Sequence, residues 1–379
     1  MPARIIPAEQ LTDSHRSAWS ALQEANPHLV SPFFRPEFTD CVARVRDGVH
    51  AILLDDGRSE GFLPVHVRKT VARGVAGHLS DVEGAILPPE SEFAPFHILR
   101  DCGLTAWRFH HLIGSHAGVG RVVMARAENP YIDLSGGYEA YRAERLAQRS
   151  RLFKEIERKA RKAARTREVA FTLDDRDPAA LEWLVGRKKA QLKCMGAWDY
   201  FRVPWTVPLM KACNEQTGDA FAGLVSTLRH DGRIVAAHIG LRSRETMHAW
   251  THVYDPHEAP LSVGMVMLCR LCEAAADAGV TRIDLGRGDE GYKSRFASGS
   301  LPLGEGAAEL RKLPRLARKG FYFGREAVRN TPVGPLAQSV VRTARDWARG
   351  LRREVMKTDL ASAEPAAEDR SDDRIASAC

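Results

Sequence analysis

"GLVSTLRHDGRIVAAHIGLRSRETMHAWTHVYDP", residues 223–256, alternates apolar and polar residues in three runs broken at Asp231-Gly232 and near Glu245. Alternation with a period of two, interrupted by a DG turn, predicts three antiparallel strands. The next residues, "DPHEAPLSVGMVMLCRLCEAAADAGVTRIDL", change the period. Val263, Val266, Met267, Leu271 and Ala274 recur at helical spacing, Ser262 is the expected N-cap and Gly279 the expected stop, and "TRIDL" reads as a further strand. Three antiparallel strands, a helix and a strand make an α/β unit whose helix starts at a strand end, where unpaired N–H groups and the helix dipole favour an anion.

The same device occurs earlier. "VHAILLDDGRSEGFLPVHVRK", residues 49–69, is again strand, DG-containing turn, strand, about 175 residues upstream. Helices are expected over 14–25 and 37–47, and the repeat suggests a duplicated unit. The chain has 379 residues, 44% hydrophobic and 27% charged, enough for two such units with real cores. No apolar run is long enough to cross a bilayer, and the opening "MPARIIPAEQL" lacks a secretory signal, so the expectation is a cytoplasmic protein, at most peripheral at the inner membrane surface. The seven cysteines are scattered, which fits reduced thiols; Cys269 and Cys272 fall on the apolar helix and read as core, and no metal is expected.

Positive charge is concentrated in two stretches. Residues 142–167 carry eleven Lys and Arg against three Glu, and residues 311–357 carry thirteen against three acids, so the remainder is acidic although the whole chain is +7. The first reads as a basic linker helix over 142–168. The second is a basic helical extension over 311–357, with Val340, Val341, Ala344, Trp347, Ala348 and Leu351 as an apolar stripe suited to an anionic membrane or a partner. Residues 358–379 have a disordered composition. The modules are then expected at 1–141 and 169–310.

After the "TRIDL" strand comes "DLGRGDEGYKSRF", residues 284–296, dense in glycine and charge. Together with "SPFFRPEF" (31–38), "GFLPVHVRK" (61–69) and "HLSDVEGAI" (78–86), it resembles the CelD-like acetyltransferases of the GNAT superfamily. These belong to cellulose and exopolysaccharide gene clusters, carry a BioF2-like acetyltransferase domain, and are distant relatives of the Fem-type peptidyltransferases. The resemblance covers roughly residues 10 to 310. It implies two tandem GNAT-like modules, each a mostly antiparallel sheet flanked by helices, and transfer of an acyl group, acetyl first, from acyl-CoA to an amine or hydroxyl acceptor in cell-envelope or exopolysaccharide synthesis. The strongest match is the YK-x-RF element at Tyr292, Lys293, Arg295 and Phe296. The diphosphate loop departs from the usual pattern, because "LSVGMVM" offers only Gly264 and Ser262 where that loop is richer in glycine and basic residues.

Such chemistry needs a base for the acceptor and a proton for the leaving thiolate. Asp289 and Glu290 are the base candidates, Tyr292 the proton donor, and Lys293 a stabiliser of negative charge. Ser262, Val263, Gly264 and Met265 would hold the CoA diphosphate. His238 and His252, on adjacent strands, would line the acceptor pocket with Trp198 and Asp199 of "AQLKCMGAWDYF" and with Asp81, placed near the seam between modules. Two alternatives remain open at this point: a non-catalytic membrane-side component of a polysaccharide machine, and a Fem-type transferase using aminoacyl-tRNA, which ranks below CoA because the basic helix lacks interleaved aromatics.

Overall fold

The computed structural model describes residues 2–55, 57, 60–89, 91–113, 118–288 and 291–329. In chain order these form β1 (Ala3–Pro7), α1 (Asp13–Ala25), α2 (Pro36–Ala43), β2 (Val49–Asp55), β3 (Glu60–Arg68), β4 (Val71–Gly74), α3 (Pro95–Asp101), β5 (Ala106–Ile113), β6 (Val123–Asp133) and α4 (Gly137–Thr166). There follow β7 (Val169–Thr172), α5 (Pro178–Cys194), α6 (Thr206–Asn214), β8 (Ala222–His230), β9 (Arg233–Ser243), β10 (Thr246–Tyr254), α7 (Val263–Asp277), β11 (Arg282–Asp284), α8 (Lys293–Phe296), β12 (Gly299–Glu309) and α9 (Lys312–Arg329).

Among the described residues all twelve strands lie in one sheet, ordered β1-β2-β3-β4-β5-β12-β6-β11-β10-β9-β8-β7. Each half repeats one plan. β1 to β4 pair antiparallel in succession and β4 pairs β5 in parallel; β7 to β10 pair antiparallel and β10 pairs β11 in parallel. The parallel step needs a crossover, supplied by α3 and α7. The two halves exchange their last strands: β12, at the end of the second half, bonds between β5 and β6, and β6, at the end of the first, bonds to β11. The α/β architecture of two tandem, mostly antiparallel units is therefore present, fused into a single sheet.

The expected strand–turn–strand runs are β2–β3 and β8–β9–β10. Asp231 and Gly232 both take positive φ at the tight turn, the conformation a two-residue hairpin of this twist requires. Helix α7 buries Val263, Val266, Met267, Leu271 and Cys272 against the second-half core, and Gly279, at φ +81, closes it, with Val280 N–H reaching back to the Ala275 carbonyl at 2.9 Å. Helix α2 stops at Ala43, short of the expected 47: Val45 N–H closes on the Val42 carbonyl three residues back, and Gly48, at φ +74, turns the chain into β2. The basic helix α4 lays Tyr141, Phe153 and Ile156 on the second-half core and turns most of its arginines outward, whereas Arg145 is buried and donates to the Ala297 carbonyl at 2.6 Å. Among the described residues no helix is long and apolar enough to cross a membrane. The stripe at 340–351 and the tail at 358–379 lie outside the described residues.

Candidate functional site

The parallel pairing of β10 with β11 lasts three residues, from Thr246 opposite Arg282 to His248 opposite Asp284. Beyond that point β10 continues to Tyr254, with a bulge between Ala249 and Thr251, while Leu285 turns its N–H to the Pro130 carbonyl on β6 at 2.9 Å. The two strands fork. Gly286 makes the turn at φ +74, and a Cβ there would stand 3.2 Å from Asp81 Oδ2 and 3.6 Å from the His248 ring. Glycine is needed both for the backbone and for the close approach.

Asp81 and His248, 167 residues apart, meet at this fork with Oδ2 2.9 Å from Nε2. The carboxylate can only accept, so Nε2 carries the proton. His248 is fully buried, edge-on to Phe33 at 4.8 Å, whereas 24% of the Asp81 side chain remains accessible. Burial alone would raise the Asp81 pKa; the hydrogen bond and charge of His248, with His111 and Lys293 nearby, hold it below the ordinary range. Asp81 is therefore an ionised acceptor at neutral pH, fixed in place from beneath. The "SPFFRPEF" segment builds that support, since Phe33 and Phe38 also pack edge-on to Trp250, whose indole N–H bonds the Leu79 carbonyl at 3.2 Å. Beside Asp81 stands an aromatic wall: Trp198 lies 4.9 Å from His78, Trp205 5.1 Å from His78, and the Tyr200 hydroxyl is 3.0 Å from Thr251 Oγ1. Burial pushes His78 down to about 4, so it is neutral.

Across the fork, Tyr292 sits edge-on to His252 at 4.8 Å. Burial, with Lys188 and Lys293, pushes His252 down to about 4; His238, directly opposite it on β9, is pushed by burial to about 3 and neither of its ring nitrogens has a partner among the described residues. Both imidazoles are neutral, and His238 lies buried below the cleft. Lys293 is buried, its ammonium donating to the carbonyls of Arg287 at 3.0 Å and Gly286 at 3.3 Å. The other charges of the motif also hold the loop. Asp284 accepts two bonds from Arg282, and Arg287 pairs with Glu305 of β12. Asp199 is used locally, capping the turn at Phe201 N–H (3.0 Å) and pairing with Arg202. Asp289 and Glu290 lie outside the described residues.

Ser262 to Met265 open α7, separated from β10 by a 3-10 turn over Pro256–Leu261. Ser262 does not cap as its residue type suggests. Its φ of +53 turns the hydroxyl away from the helix, and Lys159 of α4 donates to it at 2.8 Å. The helix start thus gains a cation beside the N–H groups that a first turn leaves without intrahelical acceptors. Next to it is a cavity of about 330 Å³ between α4 and α7, lined by Lys159, His230, Val263, Val266 and Arg270 among others. Gly264 owes its place to packing: a Cβ would come within 2.8 Å of the Tyr254 ring.

Sequence reasoning did not single out His248, Tyr200, Thr251 or Lys159, although Tyr200 falls within the quoted aromatic segment. The first was within reach, since "TMHAWTHVY" holds two histidines four apart; the other three depend on long-range contacts.

Residues 150–294 match the family model for the GNAT acetyltransferase domain. No curated protein matches the chain. Among solved structures, FemX has a TM-score of 0.52 at 8% identity, covering 80% of this chain and 96% of its own, a likeness of fold. The C-terminal domain of a lysylphosphatidylglycerol synthetase from Agrobacterium fabrum has a TM-score of 0.47 at 13% identity, covering 82% and 97%. A tandem GNAT protein from the clavulanic acid biosynthesis pathway has 0.46 at 11%, covering 81% and 98%. The stretch matched by the family model runs from within α4 to α8 and so contains both arms of the fork; acyl transfer is the enzyme activity this likeness supports.

Proposed function

We propose that the protein moves an acyl group, acetyl first, from acyl-CoA to an amine or hydroxyl acceptor held at the β10–β11 fork. The observation that carries this reading is the fork itself, with a helix N-terminus and Lys159 at one side and the His248-supported carboxylate of Asp81 at the other. The first turn of α7, within Ser262 to Met265, and Lys159 would hold the diphosphate by the N–H groups of Val263 and Gly264, dipole and charge. The thioester supplies the activated acyl carbonyl. Asp81 accepts the hydrogen bond from the acceptor's N–H or O–H and takes its proton as that atom attacks, while His248 keeps the carboxylate oriented. Tyr292 gives its phenolic proton to the departing thiolate. Trp198, Tyr200 and His252 shape the acceptor side, and Lys293 keeps the loop closed around it. The envelope or exopolysaccharide setting rests on the sequence resemblance.

Thermal unfolding with a panel of acyl-CoAs tests the donor. Ligand that binds only the folded state raises the melting temperature with concentration. A rise with at least one short acyl-CoA is expected; a flat response to every acyl-CoA at millimolar concentration would rule the donor out.

A further inference from the structure

We propose that the first half of the protein carries a second binding site, separate from the fork, for a small molecule bearing a diphosphate group. A groove of about 660 Å³ runs over the β3–β4 turn, the start of β5 and the end of β12. Among the described residues Arg46, Arg68, Lys69, Arg73, Arg108 and Arg311 line it against one carboxylate, Glu309. That carboxylate is already taken, since it accepts from Arg108 at 3.2 Å and from Arg318 at 2.8 Å. Arg73 stands in direct register with Arg108 on one side and with the neutral His66 on the other, so two guanidinium side chains lie opposite one another on adjacent strands. Like charges placed opposite one another in a sheet oppose folding, and among the described residues Arg73 has no ion pair to offset this. Lys69 adds to the cost by taking φ +57 at the turn, where glycine or asparagine would be less strained. Arg46 is pinned from below, stacked 4.6 Å over Trp205 and donating to the Val75 carbonyl at 2.8 Å. Burial and the neighbouring Arg73 lower its pKa, and burial with both arginines pushes His66 down to about 4. Convergent guanidiniums held against their own repulsion are the arrangement that bidentate phosphate recognition uses, and the groove has room for a diphosphate with a small organic group attached. It lies at the N-terminal ends of β4 and β5, whereas the fork opens at the C-terminal end of the β10–β11 pairing.

Calorimetric titration of the full chain with inorganic pyrophosphate at low salt tests this, beside Arg73→Gln and acetyl-CoA competition. Binding should weaken with added salt, fall roughly 10- to 100-fold in Arg73→Gln, the loss expected for a charged hydrogen bond, and persist when acetyl-CoA is present. The ligand-free variant should melt no lower than the parent, because a repulsive neighbour has gone; that separates a binding role from a structural one. No binding by the parent protein, or equal affinity in Arg73→Gln, overturns the proposal. So does displacement by acetyl-CoA, which would make the groove a donor site. Loss of binding to anionic vesicles or RNA in the variant, with pyrophosphate binding intact, would reassign the patch to a macromolecule.

Discussion

The two halves of the sheet share a strand plan and differ where the parallel pair opens. In the first half β4 ends at Gly74 and the chain itself refills the gap. Glu83 N–H bonds the His111 carbonyl at 2.8 Å, the Glu83 carbonyl accepts from Ile113 at 2.9 Å, and Ile86 exchanges two hydrogen bonds with Phe62 of β3. Residues 83–86 thus take the place of β4 between β3 and β5. In the second half nothing among the described residues is laid along β10 in this way; His252 on its free stretch faces Tyr292, and Gly286 turns against Asp81. One fork has become scaffold and the other is left for chemistry. Asp81 lies two residues before the refilling segment, so the first half closes its own fork and furnishes the second with its carboxylate in one run of chain.

The strongest way to break this contrast is Asp81→Asn, which keeps the shape and removes the charge. Single-turnover acyl transfer should fall by about 10² to 10⁴, the range for a lost proton acceptor; an unchanged rate would take Asp81 out of the mechanism.

Glu83→Gln, in the closed fork, should do the opposite, leaving rate alone and changing stability. Burial raises the Glu83 pKa to about 8, against an ordinary 4.5. The unfolded chain releases this proton as pH passes about 4.5 and the folded chain only near 8, so the group's contribution is whole below pH 4.5 and is lost progressively up to about 8. Urea unfolding should show the glutamine variant matching the parent at pH 4 and exceeding it by on the order of a few kcal/mol near pH 8. A constant difference across pH would contradict the assignment.

Tyr292→Phe keeps the ring against His252 and removes the proton. A rate loss of about 10² with acyl-CoA affinity and melting temperature retained is expected; parallel losses in all three would mean that the hydroxyl only ties down the loop. The smallest effect is expected from Lys159→Ala, a few-fold loss of acyl-CoA affinity that shrinks in salt. It replaces the more obvious Gly264 substitution, which would collide with Tyr254 and confuse binding with packing.

Much of this was legible in the sequence. Period-two runs about DG turns located β2–β3 and β8–β10, helical spacing located α7, and the "SPFFRPEF", "HLSDVEG" and "DLGRGDEGYKSRF" segments all converge on the fork. Local pattern could not show that β12 bonds between β5 and β6, because nothing in its eleven residues encodes a partner nearly 200 residues away. Nor could it show the bulge in β10. A regular strand would put His248 and His252 on one face, four residues apart; the extra residue between Ala249 and Thr251 sends His248 to Phe33 and Asp81, and His252 to Tyr292. Within "DLGRGDEGYKSRF", Lys293, expected to stabilise negative charge, instead donates to the Gly286 and Arg287 carbonyls and holds the loop, as Arg287 does through Glu305.

Hydrogen–deuterium exchange with and without acetyl-CoA tests the central claim most directly, because it reports on both forks in one experiment. Protection is expected at 255–268, the 3-10 turn after β10 and the start of α7, and around Tyr292, with exchange over 83–101, the refilled fork, unchanged. Protection confined to 83–101 would place the donor at the first-half fork and contradict the assignment of the second as the site of chemistry.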